Sequence, residues 1–432
     1  MSLLVWAFVG ALPVGATIWI VDSGGGGDFV TIQAALSAAA NGDEIIVNPG
    51  AYTENVNFLG KGICLRSAAG ADQTMIDGSK GPVGAGSCVF MDACDGSGAT
   101  LAGFTLTGGH GTEYGSRKLE GLDSPMVGGG VYCRNCSPTI RDCRIVGNQC
   151  DYAAGIFIDS GAPEIADCVF LDNIAATYGG GVAGPNAAPR IANCCFEGNL
   201  AQAGDGTIHV TGAATIEDCQ FRENRARAGA AINAPSFGAN FNVARCVFAG
   251  NSALVTHGGA IRVHEASVQI IECLLVDNTA LLDGGGIAIL DGAQVLLDHC
   301  TLYSNSAGRN GGSIAVWAYS SVALTNCIVA LSDHGGGVFG AWADCNAACS
   351  DVWGNVGGNY VGLPDPTGQD GNVSGDPLFC GPSGGDFSLA SDSPCAPDAN
   401  PSCGLIGAYA VGCGATFGID ISWGGVKALF RR

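Results

Sequence analysis

A cysteine returns every 25 to 27 residues through the middle of this chain, and that interval leaves few folds open. Cys143, Cys168, Cys194, Cys219, Cys246, Cys273, Cys300 and Cys327 mark the series. Isoleucine, valine or leucine stands three residues before each, as at Ile140, Ile165, Val243 and Leu324. An apolar residue stands two after each, as at Phe170, Phe196, Phe221 and Leu275. Five residues after the first seven comes Asn148, Asn173, Asn199, Asn224, Asn251, Asn278 or Asn305. A glycine-rich turn and an apolar-x-apolar pair follow, as in Gly258-Gly259 before Ile261 and Val263.

This period is too short for helical or propeller repeats, and it carries short strand patterns without a helix. It suits one coil of an all-β parallel solenoid that rises by about 4.8 Å per coil. Identical residues then stack into ladders. Inward Asn side chains bond along the stack and satisfy the backbone of the turns. Glycine supplies the positive φ that sharp corners need. Stacked cysteines lie within disulfide reach, but their parallel Cβ vectors suit the bond poorly, so buried free thiols are expected. The Asn and Cys ladders are structural, not catalytic.

Thr17 to Val21 reads as a first strand and Thr31 to Ala40 as a short helix with Ile32, Ala35, Leu36 and Ala39 on one face. An open solenoid end exposes apolar side chains and strand edges, so this helix is the expected N-terminal plug. Coils from Glu44 to Leu331 number roughly eleven, for a rod about 50 Å long. Residues 17–331 form the rod, interrupted by an insertion at 108–130. Beyond Leu331 the period fails, and Cys345, Cys349, Cys380, Cys395, Cys403 and Cys413 lie among Gly, Pro, Asp and Asn. Residues 332–413 are expected to be an irregular, disulfide-containing cap over the far end. The tail, 414–432, mixes Trp423 and Phe430 with Lys427, Arg431 and Arg432, and reads either as a sorting or anchoring tag or as a packed terminal peptide. Residues 1–16 read as a signal peptide, with a membrane span from Leu3 to Val21 as the rival. The expected location is secreted or cell-surface, with export or sorting machinery as a partner.

The segment Thr31 to Val56, TIQAALSAAANGDEIIVNPGAYTENV, resembles the opening of right-handed parallel β-helix proteins of the pectin-lyase-like superfamily. The FxxN pairs Phe170/Asn173, Phe196/Asn199, Phe221/Asn224 and Phe248/Asn251, and the GGAI at Gly258 to Ile261, resemble repeats of chlamydial-type polymorphic outer membrane proteins. Asp376-Pro377-Leu378-Phe379 to Ala408 resembles the closing segment of bacterial secreted β-helix proteins. The first resemblance implies a fold shared by lyases, hydrolases, epimerases and noncatalytic proteins. The second implies surface adhesion. Only 19 residues follow Cys413, too few for the membrane β-barrel that ends those adhesins, so self-export by this chain is not expected.

Lys+Arg 18 against Asp+Glu 39 gives a net charge of −21, which argues against nucleic acid. It also disfavours an anionic polysaccharide unless a basic patch or bound cations offset the field. No phosphate loop with lysine supports nucleotide chemistry, and no zinc or calcium motif appears. Cys133, Cys136, Cys143 and Cys150 have spacing that zinc could use, but in an exported chain disulfide bonding is the stronger reading.

Two places could carry function. The insertion bears His110, Tyr114, Arg117 and Lys118, together with Glu113, Glu120 and Asp123, in a charge-poor chain. Its Gly109-His110-Gly111 matches a polygalacturonase triplet but lacks that family's paired aspartates, and reads as coincidence. The other place is a stripe of outward residues: His209, Asn233 and Arg262 on consecutive coils, and, two residues further along the strand, His264, Leu290 and Trp317. Aromatic faces pack on sugar rings, and Arg with His can hold carboxylates. The leading expectation is noncatalytic glycan or surface binding. The alternative is a lyase or epimerase on an acidic glycan, with Arg262 and His264 as catalytic candidates and Ca2+ as a cofactor only in the lyase case. A purely structural envelope rod is the third reading.

Overall fold

The computed structural model describes residues 15–80, 86–94, 98–115, 118–236 and 238–413. Three parallel sheets wind around one apolar interior. The first sheet has 13 strands, from Ile18–Val21 to Asp344–Ala348. The second has 12, from Gly50–Thr53 to Asp351–Trp353. The third also has 12, from Val56–Asn57 to Tyr360–Val361. A minor row of seven two-residue strands runs from Gln149–Cys150 to Ser306–Ala307. Pairing stays in register, so Ile140, Ile165, Ile191 and Ile216 lie side by side.

Strands Ile18–Val21 and Asp344–Ala348 lie outside the span from Glu44 to Leu331 and lengthen the rod to about 58 Å. The coils therefore run on to Val361, past the point where the cysteine period stops. The reason is a chemical substitution. Cys327 N–H donates to Ser350 Oγ at 3.1 Å, where earlier coils present a thiol. Ser350 Oγ donates to Ala348 O at 3.0 Å, just as Cys219 Sγ donates to Glu217 O at 3.1 Å. A hydroxyl thus continues the column that a search for cysteine loses.

The cysteine column sits at the corner between the first and second sheets. One residue turns each corner: Asp142, Asp167, Asn193, Asp218, Arg245, Glu272, His299 or Asn326, with φ between 49° and 55°. Glycine is not the residue used there, contrary to expectation. Short polar side chains tolerate this left-handed bend, and five of the eight are Asp or Asn. Glycine holds the turn into the third sheet instead. A Cβ on Gly284, at φ 68°, would lie 2.4 Å from Ile287 O. All eight repeat cysteines are free and buried. Burial pushes the thiols of Cys143, Cys194, Cys246 and Cys300 well above their ordinary value.

The asparagine ladder is continuous from Asn148 to Asn305, and every rung is buried. Each Nδ2 from Asn148 to Asn278 donates to the next rung's Oδ1 at 2.9–3.1 Å. It donates as well to a carbonyl of the preceding coil, as Asn224 does to Phe196 O at 2.9 Å. Inside the rod Phe170, Phe196, Phe221 and Phe248 stack at 4.4–4.9 Å between ring centres.

The plug helix spans Ile32–Ala38, with Thr31 as its N-cap. Ile32, Ala35 and Leu36 face the interior. Glu54 accepts from Ile32 N and Gln33 N, and Lys61 Nζ donates to Leu36 O, Ser37 O and Ala39 O. Opposite charges thus meet both poles of the helix dipole.

The first part of the C-terminal segment meets the end of the rod, where Leu363 packs against the interior and Asn372 Nδ2 donates to Ala347 O. The rest runs back along the outer face of the second sheet. There Val247, Leu274, Val276, Ile328 and Ala330 turn apolar side chains outward and are buried by Phe387, Leu389 and Ile406. Disulfides Cys349–Cys403 and Cys380–Cys413 hold the segment, while Cys345 and Cys395 are free. Cys136 pairs with Cys94, leaving Cys133, Cys143 and Cys150 as free thiols. No helix among the described residues is long and apolar enough to cross a membrane. The expected signal peptide lies almost wholly, and the C-terminal tail wholly, outside the described residues.

Candidate functional site

The insertion folds onto the outer face of the third sheet. Thr112–Glu113 pairs antiparallel with Met126–Val127, and a small hairpin joins Lys118–Leu119 to Leu122–Asp123. Its two turn residues, Glu120 and Gly121, both have positive φ, as a two-residue hairpin turn of mirror-image type requires. Tyr114, Leu119 and Val127 pack on Tyr132, Tyr152, Phe157 and Ala183. Tyr114 meets Phe157 edge-on at 5.4 Å and donates its hydroxyl to Asp159 Oδ1 at 3.1 Å.

The hairpin turn carries Glu120 onto the predicted stripe, so the two candidate places form one site. Glu120 Oε1 accepts from Tyr152 Oη and from His209 Nε2, each at 3.0 Å. His209 Nδ1 accepts from Asn233 Nδ2 at 2.9 Å. Arg262 donates to Asn233 Oδ1 at 3.2 Å and to Asp205 Oδ2 at 3.3 Å. Arg227 donates to the other Asp205 oxygen at 3.4 Å. This bonding assigns the proton of His209 to Nε2.

The chain of bonds is closed. His209 is 2% and Asn233 0% exposed, and the Arg262 side chain is 17% exposed. Burial opposes the charged form of Glu120, but the bonds from His209 and Tyr152 outweigh it and hold the carboxyl below its ordinary range. Burial also lowers Arg262, against the pull of Asp205. His209 and Asn233 point outward from the sheet as predicted, yet the hairpin and the neighbouring turns cover them. The stripe is therefore a clamp for the insertion and not an open surface. In Glu120→Ala, His209 and Tyr152 each lose a partner, at a local cost of about 2 kcal/mol. Amide exchange across 118–123 should rise at least tenfold while the melting temperature falls by under about 3 °C. Unchanged exchange there would remove the clamp.

The remaining candidates are dispersed. His264 Nε2 lies 2.9 Å from Asp291 Oδ2. Trp317 packs on Phe339 at 4.9 Å. His110 sits half-buried at the root of the insertion, where its backbone N–H donates to Gly86 O. Lys118 pairs with Asp123 across the hairpin at 3.0 Å. Arg117 lies outside the described residues. Among the described residues, no group of three or more His, Cys, Asp or Glu is placed to hold a metal.

Sequence reasoning missed an open groove of about 400 Å³ on the outer face of the first sheet. It crosses five strands, from Asn240–Ala244 to Asp344–Ala348, or about 19 Å of rod. Asn240, Ser267, Gln269, Gln294, Ser321 and Asn346 line it, with Leu296 in its floor, and every lining residue is uncharged. The signal was present in the alternation: Val268 and Ile270 point in, Ser267 and Gln269 point out.

A family described as right handed beta helix region matches residues 87–272 and, overlapping, 187–329. The chain belongs to this right-handed β-helix family. No curated protein matches this β-helix. It is similar to pectin methylesterase from carrot at 11% identity and a TM-score of 0.29, covering 86% of this chain and 93% of that one. It is similar to an alginate lyase from Paenibacillus sp. str. FPU-7 at 10% identity and a TM-score of 0.29, covering 83% and 98%. It is also similar to the A-module of the Azotobacter vinelandii mannuronan C-5 epimerase AlgE6 at 15% identity and a TM-score of 0.22, covering 80% and 94%.

Proposed function

We propose that this β-helix is an extracytoplasmic protein that binds a glycan along the outer face of its first sheet without altering it. The observation that carries the reading is the groove from Asn240 to Asn346. Asn240, Gln269, Gln294 and Asn346 are exposed and offer donors and acceptors at sheet spacing, which matches a polymer rich in hydroxyls. Leu296 supplies an apolar floor for the C–H face of a sugar. The charged residues that a lyase or epimerase would recruit are engaged elsewhere, Arg262 with Asp205 and His264 with Asp291. The three disulfides support an oxidising compartment.

The test is a glycan array of the full chain, with each bound glycan then incubated and weighed by mass spectrometry. Binding without shortened or unsaturated products is expected, with affinity at least tenfold lower in Gln269→Ala/Gln294→Ala. Products that vanish in Arg262→Ala or His264→Ala would replace this reading with the enzymatic one. Neither binding nor products would leave a structural rod.

A further inference from the structure

At the corner leading from the third sheet into the first, one row of residues again takes positive φ. Ala93, Asn135 and Ser160 occupy it in three successive coils and Glu265, Asp291 and Ala318 in three others, with the coils of Val182–Gly184, Ile208–Val210 and Ile232–Ala234 between the two groups. In the last coil the row is completed by Trp342, at φ 51°. Hydrogen bonds fix the alignment: Glu265 N donates to Leu290 O, Ala318 N to Ala341 O and Tyr319 N to Trp342 O. Tyr319 is a second anomaly. It has φ 62°, and the coil before it uses Gly292, at φ 81°, in the equivalent place. Gly292 N donates to Ala318 O, which sets that equivalence.

Bulky side chains are disfavoured in this backbone conformation, so tyrosine and tryptophan do not stand here for the turn's benefit. Burial does not explain them either, because Tyr319 is 89% and Trp342 81% exposed. Both stand at the corners that lead directly into two strands of the groove, Ser321–Thr325 and Asp344–Ala348. Tyr319 lies two residues before Ser321, and Trp342 precedes Asn346, which lines the same groove. Two aromatic side chains therefore project from adjacent coils of a rigid rod beside an uncharged, amide-lined channel. A backbone held in a disfavoured conformation to present exposed side chains is a mark of a working surface.

We infer that Tyr319 and Trp342 form an aromatic platform that stacks on the apolar face of pyranose rings, and that the ligand is an uncharged polysaccharide. This rests on the glycan-binding reading of the groove and narrows its ligand. The charge argument selects the class. The channel offers no cation to a carboxylated or sulfated chain, and the protein carries −21 overall. A neutral sugar needs only hydroxyl partners and a flat apolar face, and both are present.

The experiment is affinity electrophoresis of the full chain in native gels containing hydroxyethylcellulose, galactomannan, pectate or alginate. Three proteins are run: wild type, Tyr319→Gly/Trp342→Asp, and Gln269→Ala/Gln294→Ala. A neutral polymer is expected to retard the wild type, and the aromatic variant should bind it at least tenfold more weakly. That variant installs the residue types that the coil of Ile287–Leu290 already uses in these two rows, Gly292 and Asp291. Its melting temperature should hold or rise, so lost binding is not lost folding. If the amide variant loses binding while the aromatic variant keeps it, the platform is refuted and the groove stands. Retardation by pectate or alginate alone would refute the neutral-ligand inference. If no polymer retards the wild type, the glycan reading falls and the platform with it.

Discussion

Asn224→Leu should destabilise the rod by about 4 kcal/mol, an effect expected at any interior rung of the ladder. The side chain is fully buried and makes four hydrogen bonds. Nδ2 donates to Phe196 O at 2.9 Å and to Asn251 Oδ1 at 3.0 Å. Oδ1 accepts from Asn199 N at 3.1 Å and Asn199 Nδ2 at 3.0 Å. Leucine matches the volume but leaves the Asn199 N–H and the Phe196 carbonyl buried without these partners. Each orphan costs about 1–3 kcal/mol. Because coils touch only their neighbours, the defect also weakens the coupling between the two halves of the stack. Urea unfolding of the variant should show a lower midpoint and a broader, two-step transition. A loss below about 1 kcal/mol would mean that the ladder is incidental to stability.

Asp351→Asn should act in the opposite direction at neutral pH. Asp351 is fully buried on the outer face of the second sheet, beneath the C-terminal segment. Its carboxyl accepts from Cys395 Sγ at 3.1 Å and from Gly375 N at 3.1 Å. Burial pushes its pKa from 3.8 up to about 6, and Asp376 nearby adds to the rise. The folded state thus holds a proton that the unfolded chain releases between these values. The contribution to stability is complete below pH 3.8 and is lost as pH rises through about 6. At pH 7.5 the ionised buried carboxylate costs up to about 3 kcal/mol relative to pH 4. Asparagine keeps an acceptor for Gly375 and carries no charge. The variant should therefore be more stable than wild type at pH 7.5 by about 2–3 kcal/mol, with the gap closing by pH 4. Unfolding curves at the two pH values decide it. An equal gap at both would show that Asp351 does not titrate in this window.

The rod itself was legible from sequence because its cause is local and repeated. Ile140, Cys143, Ile145 and Asn148 recur with their neighbours, and each recurrence implies the same inward position. What escaped was contact across long separations without a period. Glu120 reaches His209 across 89 residues, and nothing in the hairpin's composition indicates that target. The apolar outward row from Val247 to Ala330 was readable as a face needing cover, but not what would cover it. The coils after Cys327 were hidden because Ser350 replaces cysteine in kind though not in letter. Tyr319 and Trp342 escaped because the corner changes length between coils, from Glu265-Ala266 to Ala318-Tyr319-Ser320, which displaces them from any fixed offset.

The cysteine column has a consequence for how such a chain comes into being. Fifteen thiols must stay reduced in a protein whose other six cysteines must pair. Once folded, the column is shielded, because all eight of its thiols are buried away from any outside oxidant or exchange partner. An unfolded chain has no such defence, and any of its cysteines can trap any other. Order of events then decides the outcome. In an oxidising compartment such as the one proposed, the rod would have to zip shut, coil upon coil, before the oxidant finds its thiols, with the three cross-links left to form outside that column.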